Sequence, residues 1–159
     1  MARGRVYNCP IASTATTVVR DLLEILTAAT HICVIKSIEL YQSTEVGDAQ
    51  EEMLVLNLKS GQTTSGSGGN TGVTAVPILL GDSPHGMTIE SMNTTQASAG
   101  TIVTHKTWAW NLRINPFIYT FTPETELVIP PSTRATLSMD TTPADSVTIG
   151  GMVTLEIIG

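Results

Sequence analysis

The residue types that do chemistry are sparse in this sequence, and their spacing argues against most of the chemistry they support elsewhere. The three histidines, His31, His85 and His105, are far apart along the chain. A metal-binding β-barrel of the cupin kind needs an H-x-H pair with a downstream glutamate, and no such pair is present, so metal ligation by these histidines is not expected. Cys9 and Cys33 match neither a zinc pattern nor a redox C-x-x-C. A Cys9–Cys33 disulfide has nothing to support it, and the simpler expectation is two reduced, half-buried thiols made in a reducing cytosol.

The run Glu45-Val46-Gly47-Asp48-Ala49-Gln50-Glu51-Glu52 gathers carboxylates around a turn glycine. Such a loop offers oxygen ligands to calcium, but its spacing is not that of an EF-hand. A solvated connection between two strands is the preferred reading, and a calcium ion there would stabilise rather than catalyse. Gly66-Ser67-Gly68 belongs to a flexible tract and is not a nucleophile elbow. No phosphate-cradling loop or dinucleotide fingerprint occurs. Asn93-Thr94-Thr95 matches a glycosylation sequon, which carries no meaning without secretion. Trp108 and Trp110, two apart on one face, have the arrangement of a sugar-binding platform. Leu112 and Ile114 continue the same row, which favours a core or subunit-interface pair. No catalysis and no cofactor are expected.

The elements around these residues read as strands. From Val147 to Ile157, Val147, Ile149, Val153, Leu155 and Ile157 share one face, with Gly150-Gly151 marking a bulge or a close backbone crossing. Ala135, Leu137 and Met139 alternate within 133–139, and Leu54, Leu56 and Leu58 within 53–59. Residues 107–114, 117–121 and 126–129 are further strands, with 87–92 a weaker candidate. In the strand 32–42, period two places Ile32, Val34, Ile38 and Leu40 together and leaves Ile35 and Tyr41 opposite them. Val19, Leu22, Leu23 and Leu26 also fit helical spacing, but strands on every side favour a strand for 18–29. Ser60–Thr74 and Asn93–Gly100 are polar, Gly/Ser-rich connections expected to be exposed.

About eight strands punctuated by turn residues, with no helical crossovers, predict a single-domain, all-β antiparallel sandwich of jelly-roll type. Residues 1–10 carry no pattern and are expected to form an N-terminal arm, leaving 11–159 as the sandwich. At 159 residues, one domain buries roughly 70% of its unfolded surface and needs no staple. Charged residues make up only 14% of the chain, against about 25% in ordinary soluble domains. That deficit suits surface spent on neighbouring subunits. A net charge of −6 repels phosphate backbones, so nucleic acid is not an expected partner. No apolar run reaches the roughly 18 residues of a membrane span, no signal peptide is visible, and synthesis in a cytoplasm is expected.

The segment Leu40-Tyr41-Gln42-Ser43-Thr44-Glu45-Val46-Gly47-Asp48-Ala49-Gln50-Glu51-Glu52 resembles a family of tailed-bacteriophage virion structural proteins. The resemblance extends to the Gly/Ser/Thr tract after Leu58, to Trp110-Asn111-Leu112-Arg113, to Pro130-Pro131 and to the final Gly150-Gly151 strand. It is similar in turn to small jelly-roll decoration, or cement, proteins. That resemblance implies a homotrimer bound to the major capsid protein on the exterior of the head, with no enzymatic activity. A tail or baseplate component is one alternative, and a carbohydrate-binding jelly roll aiding host attachment is another. On this reading the partner-binding candidates are Arg3, Arg5 and Tyr7 on the arm, Ile35 and Tyr41 on the face opposite Leu40, and the 60–74 loop.

Overall fold

A computed structural model describes residues 4–45, 47, 51–114 and 116–159. Among these there is no helix, and eleven strands form two antiparallel sheets. In chain order they are β1 (Arg5–Thr16), β2 (Arg20–Leu26), β3 (Ile32–Gln42), β4 (Met53–Thr64), β5 (Val76–Pro77), β6 (Thr88–Asn93), β7 (Ser98–Asn111), β8 (Phe117–Thr120), β9 (Leu127–Ile129), β10 (Arg134–Met139) and β11 (Val147–Ile158). One sheet has the order β5-β1-β11-β3-β8, with β9 also paired to β3. The other has the order β6-β2-β10-β4-β7. The all-β sandwich expected from the alternating pattern is the fold of this protein.

Each inward row comes from period-two alternation. Leu54, Leu56 and Leu58 on β4, Ala135, Leu137 and Met139 on β10, and Val147, Ile149, Val153, Leu155 and Ile157 on β11 are all buried. Leu23, Ile25, Leu58 and Leu137 of one sheet meet Ile35, Ile38 and Val153 of the other so closely that the gap between them is about 10 Å³. A core packed to that density loses about 2–5 kcal/mol when a leucine is cut to alanine.

Three expectations are corrected. First, there is no free arm across residues 5–10. Arg5 to Pro10 pair with Ile157 to Met152 of β11, and Tyr7 and Cys9 are fully buried. The boundary drawn at 10/11 therefore falls inside a twelve-residue strand. Pro10 breaks the visible alternation there, and proline in a strand normally marks an edge or irregularity. Second, Ile35 is a core residue, 3% exposed. The β3–β11 register shifts between Thr154 and Leu155, which leaves Lys36 as an extra residue on β3. One inserted residue moves the preceding side chains to the other face. Cys33 and Ile35 therefore join Ile38 and Leu40 in the core, and Tyr41 remains outward. Third, the 60–74 segment is largely exposed, as expected, but it is not free chain: β4 continues to Thr64, and the chain then bridges to Thr95 through Ser67 and to Ser91 of β6 through Asn70. Likewise β7 begins at Ser98, inside the expected 93–100 connection.

Glycine makes two of these close approaches possible. A Cβ on Gly69 would lie 2.3 Å from the Ser91 carbonyl oxygen and 2.6 Å from the Asn93 nitrogen. A Cβ on Gly150 would lie 2.5 Å from the Tyr41 hydroxyl, because the Tyr41 ring crosses that position. The β1 strand bulges between Ile11 and Thr14 beside this glycine pair.

Candidate functional site

The sandwich has two flanks with different chemistry. At the first flank β5 ends one sheet, and β6 of the other sheet lies near β1. Pro77 pairs with Tyr7, Ile78 donates its backbone N–H to the Val6 carbonyl at 2.8 Å, and a turn closes from Asp82 N to Leu79 O at 3.1 Å. The turn holds Ile78, Leu79 and Leu80 outward with 57, 68 and 88% of their surfaces exposed. Tyr7 fixes the base of this loop: its hydroxyl donates to the Ser83 carbonyl at 2.6 Å, and its ring meets His85 edge-on at 6.2 Å. Tyr7, expected on an exposed arm, is therefore fully buried and supports the base of this loop.

At the opposite flank, β7 and β8 close the two sheets with aromatic rings. Trp108 stands edge-on to Tyr119 at 5.0 Å and to Phe117 at 5.8 Å, and Tyr119 meets Phe121 at 4.9 Å. Edge-to-face pairs of this kind contribute about 0.5–1.5 kcal/mol each beyond burial. Lys106 sits 4.7 Å from the Tyr119 ring centroid. Trp110 is buried, and its indole N–H donates to the Ile114 carbonyl at 3.0 Å. The two tryptophans thus join the sheets, Trp110 buried and Trp108 half-buried against the core. Beside them lies an open apolar groove of about 450 Å³ lined by Met53, Trp110, Ile114, Pro116, Phe117 and Ile118.

Between the flanks, the face of the β6-β2-β10-β4-β7 sheet turned away from the core carries a buried polar layer. Glu24, 3% exposed, pairs with the Arg134 Nε at 2.6 Å. It also accepts hydrogen bonds from the Ser65 hydroxyl, the Gly66 N–H and the Asn93 amide. Asp21 accepts from the Ala97 N–H at 2.6 Å. Its carboxyl is pushed up to about 7 by burial, against the lowering effect of that hydrogen bond and of Lys59. Burial would also raise Asp140, but hydrogen bonds from Lys59, Gln96 and Asn57 outweigh it and hold this carboxyl below its ordinary value. These carboxylates hold the 65–72 and 94–97 segments against the sheet. Asn93, the sequon asparagine, is fully buried here and donates to Glu24 and Glu90.

The remaining candidates separate cleanly. Arg3 lies outside the described residues. Arg5 is half-buried, with its guanidinium 3.5 Å from the His31 ring. Tyr41 is 41% exposed. Burial pushes the Cys9 and Cys33 thiols up to about 12, so both stay protonated and unreactive, and neither is in a disulfide. Glu45 and Glu52 converge with Asp145, their carboxylate oxygens within 4.8 Å of one another. Glu52 also accepts the Ala144 N–H and Glu45 the Thr44 hydroxyl. Residues 46 and 48–50 of that acidic loop lie outside the described residues.

The exposed loop and the polar layer were not read from the sequence. Pro77-Ile78-Leu79-Leu80-Gly81 does carry a signal, three consecutive apolar residues between turn formers with no alternation. Neither a scan of protein-family models nor a search of curated proteins found a match to this chain.

Proposed function

We propose that this chain is a structural subunit of a bacteriophage virion, a jelly-roll decoration or cement protein that binds the outside of the head shell as a homotrimer. The observation that carries the reading is that both flanks of a tightly packed sandwich present apolar surface to solvent. Exposed apolar patches on a rigid domain mark protein–protein contact, and here they lie at both edges of one sheet, where neighbouring subunits can reach them.

Three further features support it. Strand order β1-β11-β3-β8 facing β2-β10-β4-β7 supports the jelly-roll reading, since winding a long antiparallel hairpin into two Greek keys would interleave strands in this way. The resemblance at residues 40–52 and along the later strands points to tailed-phage virion proteins. A net charge of −6 suits the outside of a shell better than the side facing packed DNA. In this role the protein works by rigidity and contact and is not an enzyme: the buried carboxylates brace loops, and the apolar flanks lie against the major capsid protein and sister subunits.

The test is immunogold labelling of intact particles with antibody to the purified chain, together with rebinding of the chain to heads stripped of it. Label spread over the head and saturable rebinding are expected. Label confined to the tail would move the protein to a tail or baseplate position, and particles that carry none of it would overturn the virion reading.

A further inference from the structure

The 94–97 segment, which joins β6 to β7, lies on the outward face of the β6-β2-β10-β4-β7 sheet and is held there by polar contacts. The Thr95 N–H donates to the Ser67 carbonyl at 3.0 Å, and the Thr95 carbonyl accepts from the Ser67 N–H at 2.9 Å. The Gln96 amide donates to Asp140 at 2.8 Å and to the Arg20 carbonyl at 3.3 Å. The Ala97 N–H donates to Asp21 at 2.6 Å. Thr94 and Thr95 are exposed, and Gln96 and Ala97 half-buried. Met92 and Ala99 bracket the segment with φ values of +60° and +57°. Left-handed backbone is strained for residues other than glycine and persists only where surrounding contacts impose it. These two residues are the hinges on which the segment can turn.

Asp21 lies beneath this segment because β2 bulges. The β2–β10 register shifts between Leu137 and Ser138, which leaves Leu22 as an extra residue on β2. Asp21 is thereby turned from the face of Leu23 and Ile25 to that of Glu24. The charges around it are committed to one another. On β2 itself, Arg20 donates to Thr16 and to the Met92 carbonyl, and Glu24 pairs with Arg134 of β10. Lys59 of β4 pairs with Asp140, which follows β10, and Glu90 of β6 accepts from the Asn93 amide. The 65–67 and 94–97 segments above bring no charge. Among the described residues the Asp21 carboxylate forms no ion pair, and it is buried under the segment that it holds.

We propose that the 94–97 segment is a pH-operated latch, closed over the sheet while Asp21 carries its proton and released about Met92 and Ala99 when Asp21 ionises. Burial, reinforced by Glu24 and Asp140, pushes the Asp21 carboxyl up to about 7 against the opposing pull of the Ala97 N–H and Lys59. The closed form therefore keeps the proton to about 7, whereas a lifted segment lets water reach the carboxyl, which then loses its proton near 3.8. Lifting becomes easier by up to about tenfold for each pH unit between those values and levels off above them. Asp140 is held below its ordinary value and stays ionised throughout that window. The device is independent of what the chain binds.

Native-state hydrogen exchange tests the latch. Protection of the Thr95 and Ala97 amides, corrected for the intrinsic exchange rate at each pH, is measured from pH 5 to 8 in wild type, Asp21→Asn and Gln96→Ala, with and without low urea. Each variant is first checked for an unchanged β-sheet circular dichroism spectrum. In wild type, protection at both amides is expected to fall by up to about tenfold per pH unit to pH 7 and then to level off. Low urea should leave it unchanged, because little surface is exposed, while the amides of β11, which exchange through global unfolding, lose protection. Asp21→Asn should abolish the pH slope. Gln96→Ala removes the neighbouring contact with Asp140, so it should lower protection at every pH and keep the slope. Thr95 and Ala97 amides that follow β11 in urea would show that the segment opens only with the whole domain, and the latch would be overturned. A flat wild-type profile, a slope that survives in Asp21→Asn, or one lost in Gln96→Ala overturns it equally.

Discussion

Replacing Asp21 with asparagine should raise stability, and more so as pH rises. Asp21 lies on β2 under the 94–97 segment, 2% exposed, with Glu24 and Asp140 nearby and Lys59 only partly offsetting them. Its carboxyl keeps its proton to about 7 in the folded chain, whereas the unfolded chain releases it near 3.8. Below the unfolded value both states hold the proton and the site costs nothing. As pH rises from there to about 7, the unfolded state gains from ionising while the folded state does not, and stability falls. Above 7 both are ionised and the full cost remains. At about 1.36 kcal/mol per pH unit, that cost is about 4 kcal/mol. Asparagine removes the charge and keeps an oxygen for the Ala97 N–H, but its own N–H groups need acceptors. A net gain of about 2 kcal/mol at pH 8 is therefore expected, or roughly 4–8 °C in Tm for a domain of this size. Thermal melts of wild type and Asp21→Asn, followed by circular dichroism at pH 4, 6 and 8, measure it. The other titrating groups are common to both chains and largely cancel in the difference. A Tm difference that is flat with pH, or that shrinks toward pH 8, would refute the assignment of a buried, proton-holding carboxyl.

Four other outcomes follow from particular contacts. Deleting residues 2–8 removes Tyr7 and four ladder positions of β1 opposite β11; the truncated chain should fail to fold, seen as loss of the β-sheet signal, where a dispensable arm would leave the spectrum unchanged. Glu24→Gln leaves the Arg134 guanidinium buried without its counterion and should cost about 3–5 kcal/mol in urea unfolding, part of it recovered by Glu24→Gln/Arg134→Met. Gly69→Ala drives a methyl into the Ser91 carbonyl; faster hydrogen exchange confined to residues 65–72 and 91–95 is the expected signature. Cys9 and Cys33, held protonated near 12, should resist iodoacetamide at pH 8 in the folded protein and react in denaturant, as mass spectrometry would show.

Much of this structure is written in period two. The inward rows of β4 and β10 alternate without interruption, and that of β11 with a single break at Gly151, and alternation alone assigns both the strands and their buried sides, because successive side chains of a strand must point to opposite faces. Tertiary structure decided wherever a partner strand changed the count. The extra residue at Lys36 turned Ile35 inward, and only the register against β11 reveals it. β1 has too little pattern of its own around Pro10 to declare itself, yet its ladder to β11 encloses Tyr7 and Cys9. The Gly/Ser tract looked like open chain because nothing in it is apolar. It is held by the Glu24 carboxylate of β2, about forty residues earlier, which local sequence cannot connect to it. Exposure, too, is a property of the whole: Trp110 and Leu80 are both large and apolar, and only the placement of the sheets buries the first and leaves the second in water.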